Sequence, residues 1–307
     1  MPQKFRGMRQ ILRTLRVFLD NSRLWPLECR QSLRVQVPFH GRHEDELTAL
    51  LKESSVAVGN VGLAARIGKQ ASTTTPFRTF LSRYFYLCMS LVLAALVVLG
   101  FRRTVNINLL HANPPRPLLL WVHGVAFSTW IVFFIAQSAL VRARKVSVHR
   151  LLGWFGAGLA AVMVVLGFTI AIVMARFDTV VLGQKNAAAF LSIPFEDMIG
   201  FGSCMAMAIY WRKKPEYHRR LIFIASCLLM DAAIGRFDFI IDHNLFFPAL
   251  DGLIALGMAR DWVLDGRVHK VYLYALTGLI VMQSLAMYAW RVNPGWWAAI
   301  THAILGF

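Results

Sequence analysis

Seven runs of predominantly apolar residues, separated by short polar or charged segments, dominate the chain from about residue 80 onward. They cover residues 84–101, 117–141, 151–175, 187–211, 221–241, 245–258 and 271–290. A helix needs roughly 20 residues, at about 1.5 Å each, to cross a hydrocarbon core of about 30 Å. The pattern therefore predicts an all-α fold, a polytopic transmembrane helical bundle of about seven spans. The run at 245–258 is the shortest, so six spans and one re-entrant or buried helix are the alternative.

The N-terminal quarter of the chain differs from the rest, because residues 1–78 contain no apolar run long enough to cross a bilayer. Its first twenty positions mix apolar residues with four arginines, Arg6, Arg9, Arg13 and Arg16. This pattern is typical of a basic amphipathic helix on an anionic membrane surface, and also of a transit peptide. A start codon assigned too far upstream is a third explanation. We expect residues 1–78 to be basic and largely disordered, and residues 79–307 to form the transmembrane bundle.

The composition supports a membrane location. The chain is 57% hydrophobic and 16% charged, and a soluble domain cannot bury that much apolar surface. A net charge of +17 would suggest nucleic acid binding in a soluble protein, but much of the excess lies between the apolar runs. That placement is typical of topology determinants and of contacts with anionic lipids. We therefore expect a lipid bilayer and anionic lipids as partners, no nucleic acid, and a membrane-protein partner or a homo-oligomer as a further candidate.

Loop charges predict the orientation. The loops at 142–150 and 212–220 and the loop before the seventh run are strongly basic, whereas the alternate loops carry fewer positive charges. The positive-inside rule places the basic loops and the N-terminus in the cytoplasm and the C-terminus outside, in a bacterial inner membrane. The loop between the first two runs is an exception on the nominal outer side, because it contains Arg102, Arg103 and Arg116.

Ionisable residues inside the apolar runs are the first candidate site. The predicted buried polar cluster comprises Glu196, Asp197, Asp231, Arg236, Asp251 and His123. The helical rise puts Glu196, Asp197 and Asp231 about 15 Å from the ends of their runs, near the bilayer midplane. Each charged group in lipid costs about 2.5–3.5 kcal/mol, so we expect these residues to face the interior and one another. An ion pair of Arg236 with Glu196 or Asp197 is the expected contact.

The position of Pro194, two residues before the acidic pair, bears on the function of this cluster. Proline removes a backbone donor and is expected to interrupt the fourth run. A broken helix beside buried carboxylates forms the ion site of some transporters, and neighbouring carboxyl groups suit a proton relay. The cluster thus predicts small-solute or proton-coupled transport, or sensing. A buried structural ion pair that fixes helix register is the alternative, and the absence of Walker, GxGxxG and GxSxG motifs disfavours an enzyme.

Three histidines form the second candidate site. His149, His218 and His269 each lie at the predicted cytoplasmic start of an odd-numbered run, and each is followed by Arg or Lys. Imidazoles from several helices at one depth can ligate a b-type haem or a metal, with the neighbouring arginines holding propionates. His111, His123 and His243 would be their outer counterpart. Anchoring of helix ends at the headgroups is the simpler interpretation, because HxxxH and HExxH spacings are absent.

These histidines make a haem-binding or respiratory-chain-associated membrane protein the second functional hypothesis. A structural or assembly partner without chemistry of its own is the third. Two packing features belong to no hypothesis in particular. Small residues four apart in the third run, Gly153, Ala157 and Ala161, predict a close helix–helix contact. The four cysteines lack CxxC spacing and are expected to be free thiols.

Two stretches of the chain resemble sequences found in a group of membrane proteins. They are His123-Gly124 … Trp130 … Gln137 … Arg142 … His149-Arg150-Leu-Leu-Gly153 and Pro215-Glu-Tyr-His218-Arg-Arg-Leu … Asp231-Ala-Ala-Ile-Gly-Arg236. Together they resemble multi-spanning bacterial membrane proteins of unknown function, over roughly residues 80–290. The His-Arg helix starts are also similar to those of small membrane proteins linked to cytochrome oxidase assembly. The resemblance implies the architecture and marks these residues, but it implies no activity.

Overall fold

The computed structural model describes residues 75–306, and within this range every regular element is a helix. The expectations for residues 1–74 lie outside the described residues. The elements are α1 (Pro76–Val105) with a π-helical turn (Asn106–Leu110), α2 (Leu118–Arg142), α3 (Val146–Val180), α4 (Ala187–Phe190), α5 (Ser192–Tyr210), α6 (Pro215–Leu228), α7 (Asp231–Ile234), α8 (Asp238–Asp242), α9 (Phe246–Asp265), α10 (Lys270–Val292) and α11 (Gly295–Leu305).

Four helical segments are long and apolar enough to cross a membrane: α1 with its π-helical turn, α2, α3 and α10. They coincide with the first, second, third and seventh apolar runs. The all-helical fold and the presence of helices able to span a membrane are therefore confirmed, whereas the count of seven spans is not. α6 is only 14 residues long, and both α5 and α9 contain acidic residues within their length.

The predicted fifth run, 221–241, does not form one continuous helix. α6 ends at Leu228, and α7 and α8 follow as short separate helices. The second half of α6 is buried on every side, with Phe223, Ile224 and Leu228 fully inaccessible. A helix that is apolar all round belongs in the interior of a protein. The interruption after Leu228 thus lies inside the molecule, directly before Asp231.

Side-chain contacts gather the basic loops at one end of the protein, which we call the basic end. The ring of His149, near the start of α3, lies 6.4 Å from the ring of His218 in α6. The ring of His269, directly before α10, packs edge-on against Tyr217 with centroids 4.8 Å apart. The starts of α3, α6 and α10 therefore lie side by side.

A second set of contacts joins the other ends of the helices, which we call the opposite end. Arg116, between α1 and α2, donates a 3.0 Å hydrogen bond to Asp178 in the last turns of α3. The indole of Trp297 in α11 donates a 3.0 Å hydrogen bond to the carbonyl of Ala189 in α4. α3 consequently extends from the basic end to the opposite end, and the short helix α4 lies at the latter.

The small residues of α3 that pack against other helices are not the predicted ones. Gly153 is exposed, and no atom lies within 4 Å of where its Cβ would be. Gly156 and Gly167 are buried instead, and a Cβ there would collide with Phe133 of α2 and Met198 of α5, respectively. The prediction that α3 packs through the small residues beginning at Gly153 was wrong, because this Gly- and Ala-rich helix carries small residues on several faces.

The largest hydrophobic core joins α1, α2, α3, α5, α6, α7, α9 and α10. Large side chains from these helices are almost inaccessible, among them Leu93, Trp130, Phe201, Phe223 and Tyr272. The indole of Trp130 adds a 3.3 Å hydrogen bond to Ser226 across this core. The three described cysteines, Cys88, Cys204 and Cys227, are free thiols, as expected.

Candidate functional site: carboxylates at the end of a cavity

Three carboxylates from two parts of the chain meet in the interior. Glu196 and Asp197 follow each other in the second turn of α5, and Asp231 begins α7. One oxygen of each lies within 4.8 Å of the other two. The structure thus brings together three of the six residues predicted as a polar cluster, and we call these three the carboxylate cluster.

The local backbone explains how these groups reach the same point. Pro194 has no N–H to donate to the carbonyl of Phe190, and the helix is interrupted at Leu191 between α4 and α5. The predicted interruption therefore occurs about one turn before the acidic pair, while Pro194 itself is accommodated in the first turn of α5. The end of α6 at Leu228 has a parallel effect, because it allows Asp231 to begin a new helix.

The carboxylate cluster has no compensating partner among residues 75–306. Glu196 is 4% exposed and Asp231 is 2% exposed. Both oxygens of these two side chains, and Oδ1 of Asp197, accept no hydrogen bond from a donor outside the cluster. Buried carboxylates are normally hydrogen-bonded or paired with a cation. Three such groups in mutual contact cannot all stay ionised, so the cluster requires a proton or another positive charge.

A cavity of about 840 Å³ extends from the loop between α3 and α4 to the carboxylate cluster. Asp197 and Asp231 line it, whereas Glu196 does not. The remaining walls are mostly apolar and include four aromatic residues, Phe127, Phe190, Phe246 and Trp290. A volume between about 300 and 1,000 Å³, with apolar walls and few polar groups, is typical of sites for small molecules.

His123, which was predicted as a member of the polar cluster, lines this cavity. Its ring stacks on Phe127, one turn further along α2, with centroids 4.0 Å apart. Its Nδ1 is buried and has no hydrogen-bond partner within the described part of the chain. His123 is therefore a second kind of polar group that a ligand in the cavity would meet.

Arg236 lines the cavity but does not pair with the acidic residues, so the expected ion pair with Glu196 or Asp197 is wrong. Its Nε donates a 3.1 Å hydrogen bond to Thr104, and its guanidinium lies 3.9 Å from the ring centroid of Phe101. A further N–H bonds to the carbonyl of Ala232. Because α7 ends at Ile234, the side chain of Arg236 turns toward α1 instead of α5.

Asp251, the last member of the predicted polar cluster, lies apart from the other carboxylates. Its Oδ1 accepts a 3.1 Å hydrogen bond from the amide of Gln283 in α10. Asp251 therefore does not share the contacts of the carboxylate cluster, and its Oδ1 has a donor of its own.

Of the three histidines predicted as haem or metal ligands, His149 and His218 lie close together. His218 Nδ1 lies 2.9 Å from the carbonyl of Ala208, and because a carbonyl only accepts, Nδ1 donates this hydrogen bond; in a neutral imidazole Nε2 is then the nitrogen that can bind a ligand. This arrangement orients ligating histidines in many metal sites. His149, whose ring faces His218, has a buried Nδ1 without a partner among the described residues. The pair can thus offer two nitrogens to a ligand.

His269, His111 and His243 contribute to local structure. His269 Nδ1 accepts a 3.3 Å hydrogen bond from the backbone of Val271 at the start of α10. His111 and His243 bond to Asn106 and Phe239 in their own segments. Within residues 75–306, the carboxylate cluster is the one group of three His, Cys, Asp or Glu side chains close enough to share a cation.

Sequence reasoning missed a buried ion network at the basic end. Arg220 of α6 and Asp261 of α9 are 1% and 0% exposed and form an ion pair. Asp261 also accepts a 2.9 Å hydrogen bond from Arg260, and Arg220 donates to Glu216 at 2.6 Å. The spacing of four between Glu216 and Arg220 was the local signal, but the partnership with α9 depends on the tertiary structure.

Comparison with models of known protein families, with curated proteins and with solved structures gives no match to this chain. The resemblance to multi-spanning bacterial proteins therefore stays a prediction.

Proposed function

We propose that this protein is a multi-spanning membrane protein that binds a small solute in the cavity and couples its occupancy to protonation of the carboxylate cluster, as a transporter or a sensor. The observation that carries the proposal is the cavity of about 840 Å³ lined by Asp197 and Asp231. Oδ1 of Asp197 and both oxygens of Asp231 are buried and have no donor from outside the carboxylate cluster among the described residues. Intramembrane carboxylates are costly and commonly mark ion or proton pathways.

The structural alternative, a buried ion pair that fixes helix register, has less support. Such a pair needs a cation, and no ion pair within residues 75–306 involves Glu196, Asp197 or Asp231. Carboxylates left uncompensated destabilise a fold, and groups of this kind are concentrated at functional sites. The geometry therefore favours a role in binding over a role in stability.

We also propose that all seven apolar runs traverse the membrane, with the fifth interrupted before Asp231 and the basic end in the cytoplasm. The contacts of His149 with His218 and of His269 with Tyr217 support this arrangement, because they put three alternate loops at one end. Clustered Lys and Arg at that end would contact anionic headgroups. The N-terminus would then be cytoplasmic and the C-terminus outside.

A solute screen on the full-length purified protein tests the proposed function. Amino acids, amines, sugars and organic acids would be tested for thermal stabilisation at acidic and alkaline pH, since a ligand that binds the folded state raises its melting temperature. We expect at least one pH-dependent stabiliser, whose effect is lost in Glu196→Gln and Asp231→Asn. The matched control is Asp238→Asn, which removes the same charge from an exposed position outside the cavity lining.

Two results of the screen would contradict the proposal. One is stabilisation that is identical in wild type and Asp231→Asn, which would place the ligand elsewhere. The other is failure of both cluster variants to accumulate while Asp238→Asn accumulates normally. That outcome would favour the structural or assembly role, in which the carboxylates serve the fold.

A haem- or metal-binding role for His149 and His218 is the second candidate. The observation that favours it is their proximity, with ring centroids 6.4 Å apart, together with the Nδ1–H of His218 on the carbonyl of Ala208. A visible spectrum of the purified protein tests it. A Soret band that disappears in His218→Ala would support haem binding, and a preparation with no haem by pyridine assay would contradict it.

A further inference from the structure

We propose that the solute is an amphipathic organic cation, with a positively charged nitrogen or phosphorus centre on an apolar, partly aromatic body. This inference rests on the proposed function, because it names the ligand class of the same cavity. Two independent properties of the cavity lead to it, the charge at its inner end and the composition of its walls.

The carboxylates at the inner end form no ion pair within residues 75–306. Among the other charged groups that line the cavity, Asp178 is neutralised by Arg116 at 3.0 Å. Arg236 is held by Thr104 and Phe101, and Lys185 is exposed in the loop at the mouth. Besides each other, Asp197 and Asp231 have Glu196 within the carboxylate cluster and His123 of α2 lining the same cavity. A cation would relieve the repulsion there, whereas an anion would increase it.

The walls point to a ligand with an apolar body. Phe190 and Trp290 stand edge-to-face with centroids 5.2 Å apart, and Phe127 and Phe246 also line the cavity. Aromatic rings bury apolar surface and attract cations through their faces. A proton needs no such space. A hard inorganic ion could take oxygens of the carboxylate cluster, but it would leave the apolar and aromatic walls of the cavity without a role in binding.

The experiment measures equilibrium binding of tetraphenylphosphonium to the full-length protein in detergent or nanodiscs. Tetraphenylborate has the same shape and the opposite charge, so it reports simple partition into apolar surface. We expect saturable binding of tetraphenylphosphonium and no saturable binding of tetraphenylborate. Loss of a buried charge partner should weaken binding by more than about tenfold in Asp231→Asn.

Matched variants separate the site from the rest of the molecule. Asp238→Asn, an exposed position, should bind the probe like wild type. Trp290→Ala should weaken binding, whereas Trp296→Ala, an exposed tryptophan outside the cavity lining, should not. Should Asp231→Asn fail to elute as a folded protein, Asp197→Asn and Trp290→Ala decide the question by the same assay.

Three outcomes overturn the inference: non-saturable tetraphenylphosphonium binding, equally tight tetraphenylborate binding, or wild-type affinity in both Asp231→Asn and Asp197→Asn. Saturable binding of Na⁺ or Mg²⁺ in place of the probe also overturns it. The proposed function would fail separately. A neutral or acidic solute whose pH-dependent stabilisation requires Asp231 would sustain the proposed function while refuting the organic cation.

Discussion

Arg220 and Asp261, 41 positions apart in the chain, form a bidentate ion pair that water does not reach. Nε and Nη2 of Arg220 donate hydrogen bonds of 2.7 and 2.8 Å to the two carboxylate oxygens of Asp261. Asp261 accepts a third hydrogen bond, of 2.9 Å, from Arg260. This carboxylate therefore compensates two buried cations and ties α6 to α9 at the basic end.

The shared role of Asp261 predicts an asymmetry between two substitutions. Asp261→Ala leaves Arg220 and Arg260 buried without that carboxylate, and we expect it to lower the free energy of unfolding by about 3–5 kcal/mol. Arg220→Ala should cost less, because Asp261 keeps Arg260 as a partner. Thermal unfolding of the purified variants measures both. Asp265→Ala, an exposed acid 3.9 Å from Arg220, is the control and should change stability by less than about 1 kcal/mol. Equal losses for Asp261→Ala and Arg220→Ala would contradict the shared role.

Close contact between α1 and α7 predicts the effect of adding one methyl group. A Cβ at Gly100 would lie 2.6 Å from the carbonyl oxygen of Ala233, and backbone cannot move aside as a flexible side chain can. We expect Gly100→Ala to lower the free energy of unfolding by about 1–3 kcal/mol. Gly124→Ala, where no atom lies within 4 Å of the new Cβ, is the matched control and should be near neutral. Equal melting temperatures for the two variants would show that α1 and α7 do not pack as described.

Uncompensated charge in the carboxylate cluster predicts a gain in stability on neutralisation. In the absence of solute at neutral pH, we expect Asp231→Asn or Glu196→Gln to raise the free energy of unfolding by about 1–3 kcal/mol. Thermal unfolding of each variant beside Asp238→Asn provides the measurement. Solute binding should be lost at the same time, as is common when functional groups are removed. Variants that unfold more readily than wild type would indicate that the carboxylates stabilise the fold.

Glu216, at the start of α6, predicts a pH dependence at the basic end. Burial by itself raises the pKa of Glu216, but the hydrogen bond from Arg220 and the positive charge of Arg219 together lower it below its ordinary value of 4.5. The stabilisation is therefore fully present above about pH 4.5 and is lost as the pH falls through the lower, folded-state value. Because the side chain is 54% exposed, we expect a difference below about 1 kcal/mol between wild type and Glu216→Gln at neutral pH. Melting curves over a pH series should show it vanish in acid, and persistence there would contradict the ion-pair explanation.

The proposed topology predicts which loops share a side of the membrane. Single cysteines at Lys145, Arg267 and Pro294, in a cysteine-free background, would be labelled with an impermeant maleimide from each side. With seven traverses, positions 145 and 267 react from the cytoplasm and position 294 from outside. If only the four candidate spans cross, positions 145 and 267 react from opposite sides, and the seven-span arrangement is wrong.

The sequence by itself determined that the described chain is helical and that it contains helices long and apolar enough to cross a membrane. α1, α2, α3 and α10 coincide with apolar runs because the requirement they meet is local: a helix satisfies its own backbone hydrogen bonds, and its apolar side chains suit lipid. Glu196, Asp197 and Asp231 were also predictable as neighbours, because ionisable side chains within apolar helices are expected to face the protein interior and one another. Their depth follows from counting residues along each run.

The tertiary structure alone decided which groups became partners. Arg236 contacts Phe101 and Thr104, and Arg220 forms an ion pair with Asp261. Helix α3 packs through Gly156 instead of Gly153. Each outcome depends on the rotation and depth of one helix relative to another, which are set by the packing of many side chains from distant parts of the chain. Hydrophobic periodicity defines neither the rotation nor the depth of a helix. Part of the membership of the carboxylate cluster could therefore be predicted, but the absence of a positively charged partner for it could not.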